Sequence, residues 1–578
     1  MRRFHSYGPV DCRYHFCVAR KELIAQGVEQ LIGVPEVGGH YFTIWAPRQT
    51  GKTWLMRQIK QKILQWYQDR FTVFDFSLGG LRGMSFSPPS FERNLARLRG
   101  TKQSRGTKQS PLPIETNSKE SDIFDFPKAF GEFFQKTMPG SPQVKSWGDF
   151  REIFSRDKGQ WDRPLILLID EVDTIPSALI DLMVAQFREL YLHRETNWLH
   201  GLALIGVRAV LGIESQRGSP FNIQRSLRVP NFTIDEVEEL YCQHQEESDQ
   251  NIEADVVEKI YQTTKGQPGL VSWFGELLIE KYNPGQNQII DMDTWDLVWH
   301  KARFVEPNNT VMNLIAKAKM PEYQGFLMEL FTRSDMPFSF HEPLCNYLYL
   351  HGIVEPETIR QPDGRFVSIC RFASPFIQDC LYHALSREVV GDRMPILPLQ
   401  PLDDLADVFS GTSLNLPALL RRYKDYLLRL KAKGINPWKE QPRRETDLHS
   451  TEFVSSAKSV LRSKQGKAVG HFHLFTWLQT VLGRRCVVSP EFPTGNGKVD
   501  IHIRCGNKRG IIEVKSFVDI YEAKSARKQA AQYAKSLGYE QVIVAMFVPV
   551  DDETILEKLS SEEMIEDVQV KLVAIGWT

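Results

Sequence analysis

Ala46-Pro47-Arg48-Gln49-Thr50-Gly51-Lys52-Thr53 comes within one position of the phosphate-binding pattern G-x-x-x-x-G-K-[ST]. The departure is Ala46, where the first glycine belongs; alanine still allows a tight turn at negative φ. In such a loop the backbone N–H groups and a helix N-terminus cradle phosphate. Lys52 then reaches the β and γ oxygens, and Thr53 ligates Mg²⁺. The matching half lies further on, where the apolar run Leu165–Ile169 leads directly into Asp170 and Glu171. Asp170 is expected to hold Mg²⁺ through water, and Glu171 to orient and deprotonate the attacking water. Arg208, just past the run Gly201–Val207, is a candidate sensor of the γ-phosphate, and a surface arginine is the competing reading.

A second set of chemistry-bearing residues sits near the C-terminus. Two β-rich runs flank Gly506-Asn507, a pair that favours a two-residue hairpin turn. That turn places Asp500 directly opposite Glu513, with carboxylates ~5 Å apart on one face. Lys515, two residues along, points to the same face. Like charges so opposed are destabilising unless a cation offsets them. Two carboxylates sharing Mg²⁺, beside a lysine that positions water, suit metal-assisted phosphodiester hydrolysis. Lys515 alone is the competing source of the offsetting charge. His502 shares the face of Asp500 and reads as a hairpin surface residue.

The elements that must position these residues follow from periodicity. His40–Ala46 reads as a strand, Lys52–Tyr67 as an amphipathic helix, and Phe71–Leu78 as a second strand. The continuous apolar run Pro164–Asp170 suits a central strand buried on both faces. Between them RGTKQS occurs twice in tandem, at Arg99–Ser104 and Arg105–Ser110, and reads as a disordered insertion over about 99–122. From Thr233 the pattern turns helical, with a cap and acidic first turn. A small helical region ending in a β-wing spans 309–390, a locally basic linker 391–447, and mixed α/β sequence resumes at 448. Arg421–Thr446 carries nine Lys/Arg against three Asp/Glu.

Composition bounds the answer. In 578 residues, 71 basic and 71 acidic side chains give zero formal charge, which excludes a wholesale polycation. Eight scattered cysteines without a C-x-x-C pair predict free thiols in a reducing compartment and no structural zinc. No apolar stretch approaches the ~18 residues of a membrane span, and the N-terminus lacks a signal-peptide core. A soluble cytoplasmic protein without membrane partners is expected.

Two resemblances sharpen this reading. APRQTGKT, LLIDEVD, SPFNI ahead of LRVPNFTIDEVEELY, and Gly266-Gln267-Pro268 resemble the bacterial AAA-like ATPases related to the STAND and archaeal-type P-loop ATPases. The likeness covers roughly residues 1–390. It implies a P-loop core (1–232), a helical lid (233–308) and a winged helix (309–390), acting as an ATP-dependent switch. The second is to the PD-(D/E)xK nuclease superfamily, over 448–578. It rests on GKVD, the D…E-x-K spacing, and Gln529 and Tyr533, which match the Q-x-x-x-Y of RecB-like members. That likeness implies a further glutamate from the preceding helix; Glu452 is the first candidate and Glu491 the alternative.

The expectation is therefore a multidomain α/β protein that binds ATP and Mg²⁺ and cuts nucleic acid, DNA rather than RNA. A nucleotide-switched protein whose nuclease-like domain grips without cutting is the alternative. Retention of Asp500, Glu513 and Lys515 together favours cutting. No motif set supports a translocating helicase. The winged-helix region leaves room for a partner protein or a second copy, and defence against foreign DNA is a setting suggested by analogy alone.

Overall fold

The computed structural model describes residues 2–576 apart from 82–125, 139–140, 142, 207–225, 286–288, 333–335, 362–363, 391–397, 400–404, 410–412, 436–469, 492–499, 517–519, 549 and 551. The tandem repeat, Arg208 and Glu452 lie outside the described residues. The chain divides into two compact units. One comprises Met1–Glu258 with Gly266–Met292, and the other Lys259–Lys265 with Asp293–Thr578. The region expected to be a lid thus contributes to both.

The first unit is built on a five-stranded sheet ordered β2-β3-β4-β1-β5, every pairing parallel. Its strands are β1 (Tyr41–Trp45), β2 (Thr72–Ser77), β3 (Leu165–Asp170), β4 (Leu199–Gly206) and β5 (Ser226–Arg228). All six residues of β3 are buried, as the unbroken apolar run requires of a strand covered on both faces. Alternate residues feed two cores. Leu165, Leu167 and Ile169 pack with Phe130, Phe134, Phe150 and Phe187. Ile166 and Leu168 pack with Ile59 and Ile63 of the helix Lys52–Tyr67 and with Val28 and Leu31 of the helix Lys21–Ile32. At ~1.5–3 kcal/mol for each fully buried large apolar side chain, these two layers fix where the strand ends fall. The expected P-loop helix is found at its expected bounds.

In the second unit, helices Asn309–Ala318, Pro321–Thr332 and Pro343–Leu350 precede the antiparallel hairpin β6 (Val354–Arg360) and β7 (Phe366–Phe372). The helix Pro375–Val390 follows it. A six-stranded mixed sheet closes the chain, ordered β12-β13-β11-β10-β9-β8. Its members are β8 (Val487–Glu491), β9 (Asp500–Cys505), β10 (Lys508–Ser516), β11 (Gln541–Val548), β12 (Ser561–Ile565) and β13 (Val568–Gly576).

Two expectations need correcting. Leu416–Ala432, placed in a basic linker, is a helix whose Leu419, Leu420, Tyr423, Tyr426 and Leu430 are buried. It packs on β11 and β13, so its basic residues are the outer face of an amphipathic helix. The cysteines also depart from the free-thiol reading, because the fold brings together pairs whose spacing gave no signal. Cys12 and Cys17 are disulfide-bonded across a turn, with Cα atoms 5.5 Å apart. Cys486 and Cys505, one step beyond the Val487–Arg504 pairing of β8 and β9, are bonded as well. Among the described residues, no helix is long and apolar enough to cross a membrane.

Candidate functional sites

At the C-terminal end of β1 the loop 46–51 turns into its helix. Its left-handed residues are Gln49 (φ 58°) and Gly51 (φ 87°), so Ala46 tolerates its Cβ because the positive φ falls elsewhere. The Thr50 hydroxyl donates to the Pro47 carbonyl at 2.9 Å and closes the loop on itself. Lys52 Nζ donates to the Ala46 and Pro47 carbonyls at 2.9 and 2.6 Å. Burial lowers the pKa of this lysine to about 8. The arrangement holds a desolvated ammonium where a polyphosphate would rest.

From the end of β3, one strand beyond β4, Asp170 Oδ2 accepts a 2.6 Å hydrogen bond from the Thr53 hydroxyl, and its Oδ1 accepts from the Glu171 N–H at 2.8 Å. Burial raises the Asp170 pKa. A hydroxyl and a carboxylate converging in this way are the hard oxygen donors that Mg²⁺ takes. Glu171 adopts a left-handed backbone (φ 57°), and its carboxylate accepts a hydrogen bond from the Ser77 hydroxyl at the end of β2.

The Gly266-Gln267-Pro268 segment bears on this loop directly. Gln267 caps the helix Pro268–Gly275 through the Leu270 N–H, and its amide donates to the Arg48 carbonyl at 3.0 Å. The Gly269 N–H donates to the Gln49 carbonyl at 2.9 Å. A Cβ at Gly269 would stand 2.6 Å from Gln49 Cβ, so only glycine allows this approach. The loop, the β3 end and the helix Pro268–Gly275 line a cavity of about 480 Å³, completed by Pro9, Val10 and Phe16 of the N-terminal arm. That arm is anchored where Ser6 donates to the Glu276 carboxylate and Arg20 pairs with Glu236.

Sequence reasoning identified Pro47 through Thr53, Asp170 and Glu171, and the structure brings them together. It missed Ser77 and the arm. Ser77 pairs in register with Asp170, so its place at a strand end beside the acidic pair was the available signal. The arm carried none.

At the other site the hairpin register is the expected one. Gly506 takes positive φ (58°), and pairing runs from Cys505–Lys508 to Asp500–Glu513. The edge strand extends the row, because Glu491 pairs with Asp500. Three acidic positions therefore lie in line across β8, β9 and β10. Glu513 is fully buried, and Lys515 Nζ is 3.1 Å from its Oε1. The helix Ile520–Ser536 covers this face, packing Ala530, Ala531 and Ala534 on Ile511, Val542 and Val544. On that helix Gln529 is exposed and Tyr533 half-buried. His502 is half-buried with its ring edge on Tyr539, not a plain surface residue. Among the described residues no cluster of three or more His, Cys, Asp or Glu could hold a metal.

The family described as "Domain of unknown function (DUF8371)" matches residues 450–551. No curated protein sequence matches. Among solved structures, the Walker-type ATPase PABY2304 of Pyrococcus abyssi is similar at 14% identity and TM-score 0.38, over 65% of this chain and 99% of its own. The Holliday junction branch migration motor RuvB of Thermotoga maritima is similar at 14% identity and TM-score 0.30, over 61% and 92%. The Aeropyrum pernix Orc1 protein in complex with DNA gives 13% identity and TM-score 0.28, over 64% and 93%. The five-stranded parallel sheet, with the Gly51-Lys52-Thr53 loop between β1 and its helix, is the arrangement expected from the sequence.

Proposed function

We propose that this chain is an ATP-regulated, Mg²⁺-dependent nuclease that hydrolyses phosphodiester bonds, DNA before RNA. The observation that carries the reading is the row Glu491–Asp500–Glu513, with Lys515 ion-paired to a buried Glu513. Burying a carboxylate is costly unless it is paired, so a fold that keeps Glu513 in place has a use for its charge. Asp500 and Glu513 would hold Mg²⁺, with Glu452 or Glu491 the candidate for a further acid. A bound Mg²⁺ supplies polarisation of the phosphate and a water of lowered pKa. Lys515 orients that water and offsets charge developing on the phosphate oxygens. Gln529 and Tyr533, one turn apart on the covering helix, would contact the nucleic-acid backbone.

In the P-loop unit, Lys52 neutralises the β/γ oxygens, and Thr53 with Asp170 would hold the nucleotide's Mg²⁺. Glu171 deprotonates the attacking water once released from Ser77. ATP occupancy there is read as the switch for cutting.

The test is cleavage of supercoiled plasmid in Mg²⁺, with and without ATP, by wild type and Asp500→Ala. Cleavage by wild type alone assigns the chemistry to the hairpin, and a change of rate with ATP assigns control to the P-loop unit. Survival of plasmid, single-stranded DNA and RNA alike, with ATP still hydrolysed, would favour a nucleotide-switched binder. The full set of acids favours cutting over that alternative.

A further inference from the structure

Within the second unit, a cleft of about 580 Å³ opens beside the acidic row and has no part in the chemistry above. Its floor is the same face of the same sheet. Asp500, His502 and Arg504 alternate along β9, so the Arg504 position lies ~13 Å from the acidic row at ~3.3 Å per residue. Arg509 of β10 pairs directly with Arg504. Two guanidinium-bearing residues opposed in this way repel. Asp296 at 3.5 Å from Arg504 is the counter-charge, on side chains about half exposed. Arg509 is exposed and has no hydrogen-bond or ion-pair partner among the described residues. Arg509, an uncompensated cation at one end of the cleft, is placed to meet an anion.

Aromatic rings line it beside Lys259, His300 and Arg303. Trp299 stacks on Trp295, with ring centroids 6.0 Å apart at 17°, and the Arg303 guanidinium lies 5.2 Å over the Trp299 ring. Tyr539, with the His502 ring edge on it, lines the cleft as well. The volume lies within the ~300–1,000 Å³ typical of ligand sites, enough for one nucleotide but not a duplex.

Resting on the nuclease reading, we propose that this cleft captures an unpaired nucleotide of the strand to be cut. The base lies against the Trp299 and Tyr539 rings, and its phosphate lies on Arg504 and Arg509. The preferred substrate class is then single-stranded nucleic acid, or the frayed end of a duplex. Stacking on aromatic side chains is tolerant of base identity, so little sequence preference is expected. The acidic row, on the same sheet face, would meet the same strand a short distance along it.

Binding is measured separately from cutting. Labelled oligothymidylate is titrated into full-length protein in Ca²⁺-free, Mg²⁺-free buffer with chelator, and compared with a duplex of equal length and with free thymidine monophosphate. Single strand is expected to bind about tenfold tighter than duplex. Arg509→Ala should weaken it several-fold and lower the salt slope by about one. Trp299→Leu keeps an apolar side chain in the wall and should cost about tenfold, its melting temperature serving as the folding control. Equal affinity of wild type and both variants for the oligonucleotide overturns the proposal, even if plasmid is still cut. Tight binding of the free monophosphate and loss of the preference for a strand would also overturn it, leaving a small-nucleotide site. Failure of all cleavage with strand binding lost in both variants would sink the nuclease reading and leave the cleft standing.

Discussion

The P-loop site and the hairpin site are assembled in opposite ways. The first draws its groups from the N-terminal arm, the loop 46–53, two strand ends and the Gly266-Gln267-Pro268 segment. Each is locked by hydrogen bonds to residues distant in sequence, from Thr53 to Asp170 and from Gln267 to Arg48. The second draws Asp500, Glu513 and Lys515 from one hairpin whose register alone sets them side by side. A site of the first kind is coupled to the conformation of its unit, which suits a switch. One of the second kind is ready wherever the hairpin forms, which suits chemistry that waits for a signal.

The largest expected effect breaks that comparison into halves. Glu513→Gln keeps the shape of a buried side chain and removes its charge. It should lower cleavage by about 10²–10³-fold and leave ATP affinity within about twofold. Lys52→Ala should abolish ATP binding measured by calorimetry, and with it any response of cleavage to ATP. If Glu513→Gln impaired ATP binding as strongly as Lys52→Ala does, the two sites would not be separable.

The same contrast explains how much was legible in the sequence. The hairpin needed only period-two alternation and a Gly-Asn turn, so the pairing of Asp500 with Glu513 followed from counting. Strands β1, β3 and β4 were legible because buried parallel strands are near-continuous apolar runs. Ser77 and the arm residues Pro9, Val10 and Phe16 were not, since their roles arise only when β2 lies beside β3 and the arm folds back. The helix Leu416–Ala432 was read as a linker because its charges outweighed its apolar stripe in the composition. Yet Leu419, Tyr423, Tyr426 and Leu430 recur at helical spacing and are the residues that the sheet buries. The disulfide partners Cys486 and Cys505 became neighbours only through strand register.

A smaller effect sharpens the coupling half of the comparison. Gly266 sits at φ 68°, and a Cβ there would stand 2.0 Å from the Phe232 carbonyl oxygen. Gly266→Ala should therefore displace the turn that sets Gln267 on the loop. A strain of ~2 kcal/mol borne by the nucleotide complex corresponds to about thirtyfold in ATP affinity. Ca²⁺-free DNA binding by the hairpin unit should not change. Unaltered ATP affinity in this variant would mean that the Gln267 contact does not position the loop.

The smallest effect concerns Lys52 itself. Its pKa in the empty site is about 8, lowered by burial from the ordinary lysine value. Phosphate oxygens favour the ammonium, so the complex holds the proton to higher pH than the free protein does. The complex therefore binds more protons than the free site above pH ~8. Affinity is full below that value and falls as pH rises through it, by up to about tenfold per unit. ATP affinity measured from pH 7 to pH 9 should drop by about tenfold, with proton uptake on binding at the upper end. Lys52→Arg stays charged throughout and should bind more weakly at pH 7 but with a nearly flat profile. A flat profile in wild type would mean that Lys52 is solvated, and the P-loop site would then lose the preorganisation that sets it apart from the hairpin.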